Sequence, residues 1–167
     1  MARKSVRENK NIYQLAREEA GFTRAQASEI SGELLSDSRI EKIESERNQP
    51  YPEEVLTMSK VYKNPGLCNV YCSKVCAIGQ EYVPQVEVKD LSHIAMEVLL
   101  SVNRLAREKE RLVEISVDDQ ITDDEIEDFV RIRNELNSIS MTVTALQLWV
   151  DQMIASGKIN KDKLEAF

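Results

Sequence analysis

From Phe129 to Met153 the chain places an apolar residue at alternating three- and four-residue intervals: Phe129, Ile132, Leu136, Ile139, Val143, Leu146, Val150 and Met153. That is the heptad period, which keeps one stripe of an α-helix apolar. A strand is excluded, because its side chains alternate with period two. Thr122 followed three residues later by Glu125 forms a capping box, and Ser156-Gly157 supplies a stop. The spacing therefore predicts one helix over 122–155, on the order of 50 Å long at about 1.5 Å per residue.

Such a stripe has to be covered. Asp90 caps a second long helix through about residue 114, in which Leu91, Ala95, Val98, Val102, Leu105 and Leu112 follow the same spacing, with Lys109 the one break. The short polar turn over 116–121 folds the two helices into an antiparallel hairpin. The first helix is shorter than the second by about ten residues, so part of the seam stays uncovered. A second protomer is the economical cover, giving a dimeric coiled coil or a four-helix bundle; the alternative is that the long helix wraps the N-terminal region of its own chain.

The N-terminal third has a different grain. Asn11 opens a helix carrying Ile12, Leu15, Ala16 and Ala20 at helical spacing, which Gly21 ends. Thr23 and Gln26 form another capping box, starting a short helix from Arg24 to about Ser31. A third helix from about Ser36 to Ser45 presents Ile40 and Ile43 inward. Pro52 with Glu53 and Glu54 suits the first turn of a fourth, in which Val55, Leu56, Met58, Val61 and Tyr62 close over the core. Two short helices joined by a Gly-containing turn form a helix-turn-helix, whose second helix can lie in the DNA major groove.

The ordered set Leu15, Arg17-Glu18-Glu19-Ala20-Gly21, Thr23, Ile40, Ile43-Glu44, Pro50 and Val55-Leu56 resembles the Xre or lambda-repressor-like family of bacterial and phage regulators. The resemblance covers about a third of the chain, from Asn11 to Tyr62. Glu46 stands near the position where that family has a glycine after Ile-Glu, and Arg24 where it often has glutamine. The resemblance implies DNA-facing positions at Ser36, Asp37, Ser38, Arg39, Glu41 and Lys42. Arg39 would pair with a guanine edge, Lys42 and Arg47 with phosphates, and Arg24 with the DNA backbone. Glu44 is then a structural carboxylate that ties down nearby backbone.

Charge is compatible with that expectation only locally. The net charge is −7, yet residues 1–64 carry eleven Lys+Arg against eleven Asp+Glu, leaving eleven against eighteen for 65–167. The acidity belongs to the second half. Arg3, Lys4, Arg7 and Lys10 cluster at the N-terminus, opposed only by Glu8. The first ten residues lack the apolar core of a signal peptide, and no run of eighteen apolar residues occurs, so a cytoplasmic protein without a membrane span is expected.

Between the two regions lies a connector over 65–89, expected to form one or two helical turns and then an extended segment containing Pro84. Cys68, Cys72 and Cys76 recur at every fourth residue, so on one helix the three thiols would share a face. They are candidates for a metal or redox-sensing site, with His93 the only histidine available as a fourth ligand; the plainer reading is small hydrophobes under the connector. No Gly-rich phosphate loop or Ser/His/Asp set is present, so neither an enzyme nor a cofactor is expected.

The sequence thus predicts an all-α protein: a lambda-repressor-like helix-turn-helix domain over 1–64, the cysteine-bearing connector over 65–89, and a long antiparallel helical hairpin over 90–167. The implied function is sequence-specific, transcription-regulating binding of double-stranded DNA as a homodimer paired through the C-terminal helices. Two other readings fit the same residues: a protein-interaction adaptor working through the acidic hairpin, and a thiol- or metal-responsive regulator.

Overall fold

The computed structural model describes residues 9–32, 34–87, 89–118 and 120–166. Among these, the elements are nine helices and no strand: α1 (Ile12–Glu19), α2 (Arg24–Ile30), α3 (Asp37–Glu44), α4 (Pro52–Val61), α5 (Gly66–Lys74), α6 (Ala77–Tyr82), α7 (Leu91–Ile115), α8 (Ile126–Ala155) and α9 (Lys161–Glu165). The chain divides into two compact units, Met1–Gln85 with Val150–Phe167, and Val86–Trp149.

The caps of the first unit are set locally. Asn11 Oδ1 accepts from Gln14 N at 3.0 Å, and its Nδ2 donates to the Ile43 carbonyl at 2.7 Å, so one side chain both starts α1 and fixes it to the end of α3. Thr23 and Gln26 make the reciprocal capping box that begins α2. Ser36 Oγ accepts from Arg39 N to begin α3. Helices this short are marginal alone, so packing decides their survival. The core they share holds Tyr13, Ala16, Ala27, Leu35, Ile40, Ile43, Val55, Met58, Tyr62 and Leu67.

Two faces differ from the sequence expectation. On α1 the inward positions are Tyr13, Gln14, Ala16 and Arg17, leaving Ile12 and Leu15 largely exposed, because Arg17 is drawn inside by Glu44 and carries the helix face with it. On α4, Leu56 is likewise exposed while Val55 and Met58 are buried. The unit also continues past residue 64. Leu67 is buried in the core and Cys68 and Tyr71 pack against it, so α5 completes the head instead of merely leaving it. α6 then lies close against α5: a Cβ on Gly79 would sit 2.0 Å from the Cys72 carbonyl oxygen, so only glycine permits that approach.

The second unit is the hairpin of α7 with most of α8. Four polar pairs fix its direction and register: Ser101 with Ser138, Arg104 with Glu135, Glu108 with Arg131, and Arg111 with Asp128. Each step of three or four along α7 is matched by the same step backwards along α8, as an antiparallel pair requires. Of the capping box expected for α8 only the returning half forms: Thr122 N and Oγ1 both donate to Glu125 Oε2, while Glu125 N donates to the Thr122 carbonyl instead of its hydroxyl, and the helix proper starts at Ile126.

The seam is rotated from the one predicted. On α7 the covered positions are Ile94, Val98, Ser101, Leu105, Glu108, Leu112 and Ile115, a stripe displaced by one residue at alternate positions, which leaves Leu91 and Val102 outside. On α8, Ile132 and Ile139 lie in the seam as expected, but Leu136 and Val143 stay 44% and 43% exposed while Thr142 and Ala145 are buried. In this rotation Arg104, Glu108 and Arg111 reach their partners on α8. Among the described residues, no helix is long and apolar enough to cross a membrane.

Candidate nucleic-acid interface

Beneath α3 the side chains of Ile40 and Ile43 are buried, and so is the Glu44 carboxylate, whose side chain has no exposure at all. A carboxylate taken out of water is costly unless charged hydrogen bonds replace its hydration. Glu44 has three. Arg17 donates through Nε at 2.5 Å and Nη2 at 3.0 Å, and Arg24 through Nε at 2.8 Å. Arg17 also donates Nη1 to the Phe22 carbonyl at 2.6 Å, tying down the turn before α2. Burial works against the Arg17 charge, but Glu44 outweighs it and raises the guanidinium pKa above its ordinary value. Glu44 is thus structural, but its partners are two guanidiniums, not backbone. One buried charge holds α1, α2 and α3 together.

A second anchor holds the outer edge of α3. Arg39 donates through Nε and Nη2 to the Glu54 carboxylate at 2.6 and 2.8 Å, and through Nη2 to the Gln49 carbonyl at 3.0 Å; its guanidinium lies 5.3 Å from the centre of the Tyr51 ring. Arg39 was expected to face a guanine. The structure places it instead across the α3–α4 joint, with two of its three nitrogens engaged. Burial pushes the Glu54 carboxyl up, but the Arg39 bonds and the Tyr51 N–H outweigh it and hold the group below the usual carboxylate range.

With Arg24 bound to Glu44 and Arg47 3.4 Å from Glu41, Lys42 is the one cation of the four expected at DNA that makes no ion pair among the described residues. The open face of α3 and its cap is therefore Ser36, Asp37, Ser38 and Lys42, with Glu41 and Arg47 beside it. Lys10, the one described member of the N-terminal cluster, pairs with Glu18 at 2.7 Å. Arg3, Lys4 and Arg7 lie outside the described residues. The α3 C-terminus turns through Glu46 at φ 60°, the left-handed region that favours glycine.

The sequence did not reveal Glu54, Tyr51 or Gln49 as ligands of Arg39. They lie ten to fifteen residues away, beyond any helical spacing.

The cysteines do not share one helix. α5 carries Cys68 and Cys72 and ends at Lys74, while Cys76 precedes α6 as its cap. All three are free thiols, partly buried. Burial first, and then the neighbouring Cys76 and Cys68 thiols, push the Cys72 thiol up, which disfavours the thiolate that metals and oxidants need. No group of three or more His, Cys, Asp or Glu among the described residues is placed to share a metal ion. His93 is exposed on α7, 3.4 Å from Glu97.

No protein-family model matches this sequence, and no curated protein or solved structure is significantly similar to it.

Proposed function

We propose that this protein is a sequence-specific DNA-binding regulator in which α2 and α3 act as a helix-turn-helix, two copies being joined through their C-terminal helices. The observation that carries the reading is the mounting of α3. One side is fixed by Ile40, Ile43 and the Glu44 ion triad, one edge is fixed by Arg39, and the opposite side is left bare with Ser36, Asp37, Ser38 and Lys42 on it. A rigidly held helix with a polar outer face suits groove reading, because its side chains are presented in a fixed register. The Ser36 and Ser38 hydroxyls match base edges or phosphates, Lys42 and Arg47 match phosphates, and Asp37 matches a cytosine amine.

The test is recovery of bound fragments from the source organism's genomic DNA at two salt concentrations, with Lys42→Ala/Arg47→Ala alongside. Neither residue touches the Glu44 or Glu54 anchors, so the variant keeps its fold. The expected result is an inverted repeat, recovered less at high salt and lost in the variant. Recovery at background level at low salt overturns the reading. The adaptor reading, with the acidic hairpin as the working surface, then takes its place.

A further inference from the structure

Within the first compact unit, the end of α1, the end of α4 and the last turn of α8 line a cleft of about 330 Å³. Ala16, Ala20, Phe22 and Val61 give it an apolar lining, and Asn64 and Gln152 contribute amides. Two charged side chains on it have no partner. Glu19 is the last residue of α1, where the helix dipole disfavours a negative charge, and its carboxylate makes no ion pair among the described residues. Lys63 follows α4 with φ 54°, at a place where a helix end ordinarily has glycine, and its ammonium is likewise unpaired. The two do not pair with each other, although both lie on the same cleft. Gln152 Nε2 donates to the Lys63 carbonyl at 3.3 Å, which ties α8 to this corner.

We infer that the cleft binds a small zwitterion, a free amino acid with an apolar side chain. The inference goes beyond the DNA reading and does not rest on it. Three features select this class. First, Glu19 offers a carboxylate to a ligand ammonium and Lys63 an ammonium to a ligand carboxylate, so a ligand with a single charge leaves one of them uncompensated. Second, the apolar lining takes a hydrocarbon side chain, whose removal from water drives binding. Third, the volume lies at the small end of ligand pockets. At roughly 30 Å³ for each water displaced it holds on the order of ten non-hydrogen atoms, too few for a nucleotide or a length of peptide. Because Gln152 lines the same cleft, a bound ligand bridges α1, α4 and the last turn of α8, and it stabilises that arrangement by mass action.

The experiment is calorimetric titration of the full-length protein, without DNA, with L-leucine and with L-phenylalanine, together with unfolding midpoints in the presence of each. For leucine the comparison compounds are isoamylamine, which lacks the carboxylate, and isocaproate, which lacks the ammonium; for phenylalanine they are phenethylamine and phenylpropanoate. The same titrations are made on Glu19→Gln and Lys63→Gln. Both side chains are exposed and neither belongs to the buried core or to the Glu44 and Glu54 anchors, so the variants keep the fold, which circular dichroism checks.

The expected result is saturable binding of at least one of the two amino acids, with a dissociation constant between about 10 μM and 1 mM and a raised unfolding midpoint. Each substitution should weaken that binding about tenfold or more, and the analogues lacking one charge should bind at least as poorly. Three results overturn the inference: no heat and no midpoint shift with either amino acid at about 10 mM, binding that either variant keeps unchanged, or equal binding of the amine or the acid alone. If a variant loses helicity, the analogue comparison decides, since it uses only the wild type. The titrations contain no DNA, so their failure and the failure of the DNA reading are seen separately.

Discussion

The head and the hairpin use charge in opposite ways. In the head, Glu44 is fully buried and met by two guanidiniums, and around it Ile40, Ile43 and Met58 are sealed from solvent. In the hairpin the charged pairs sit on the outside of the joint, at 23–58% side-chain exposure, while leucines and valines on the opposite flank face water. Buried charge in the head ties Glu44 to two guanidiniums at once. Surface charge in the hairpin sets register and direction at little energetic gain, leaving apolar area for association. The first arrangement suits presenting a surface in a fixed pose, and the second suits acquiring a partner.

The contrast is broken most sharply at Glu44. Glu44→Ala leaves the buried Arg17 guanidinium with only Glu18, 4.0 Å away, as counter-charge, so the variant should lose about 3 kcal/mol of stability. That is a large share of the stability of a typical domain, and the head should unfold well below the wild-type midpoint while hairpin helicity persists. Thermal unfolding followed by circular dichroism, with tyrosine fluorescence reporting on the head, since all five tyrosines lie between Tyr13 and Tyr82, checks it. A loss below about 1 kcal/mol would mean that Arg17 reaches water, and that the head is less closed than its geometry implies.

A second, smaller effect sits at the α3–α4 joint. Glu54 has its folded pKa held below the ordinary carboxylate value, so its contribution to stability is present in full above the unfolded pKa and is lost as pH falls through the folded one. Glu54→Gln should cost about 1–2 kcal/mol at neutral pH, the worth of a charge-assisted pair. The difference between variant and wild type should shrink as the pH falls below the ordinary carboxylate range and through the lowered folded pKa of Glu54. Unfolding midpoints at a series of pH values read this directly. A difference that stays constant across the window would show that Glu54 contributes through packing instead of its charge.

Much of this arrangement was legible in the residues, and what was hidden has a common cause. Caps are local, so Thr23 with Gln26, Pro52 with Glu54, and Thr122 with Glu125 announce helix starts at or near their places. The heptad period announces two long paired helices. The rotation of those helices was hidden, because a 3.5-residue repeat leaves neighbouring heptad positions equally eligible, and the choice falls to contacts such as Glu108 with Arg131, 23 residues apart. The same holds on α3. Ser36, Asp37, Ser38 and Lys42 are exposed on α3, but the capture of Arg39 by Glu54 depends on how α4 returns past α3. α6 was not foreseen within the connector, because the close approach to Cys72 that Gly79 permits is a tertiary contact.

The smallest effect falls on the polar flank, and it is the most telling about assembly. Arg131 bonds both Glu108, at 3.1 and 3.0 Å, and Asp128, at 2.7 Å; Asp128 also takes Arg111 at 2.6 Å. Removing Glu108 leaves Arg131 with one carboxylate and access to water, so Glu108→Ala should cost under about 1 kcal/mol. Its contribution should fall further with added salt, since exposed charges are screened. A double-mutant cycle with Arg131→Ala, read by urea unfolding of the hairpin, measures the coupling. A coupling that added salt does not weaken would not fit an exposed ladder. It would mean that these rungs are shielded from solvent.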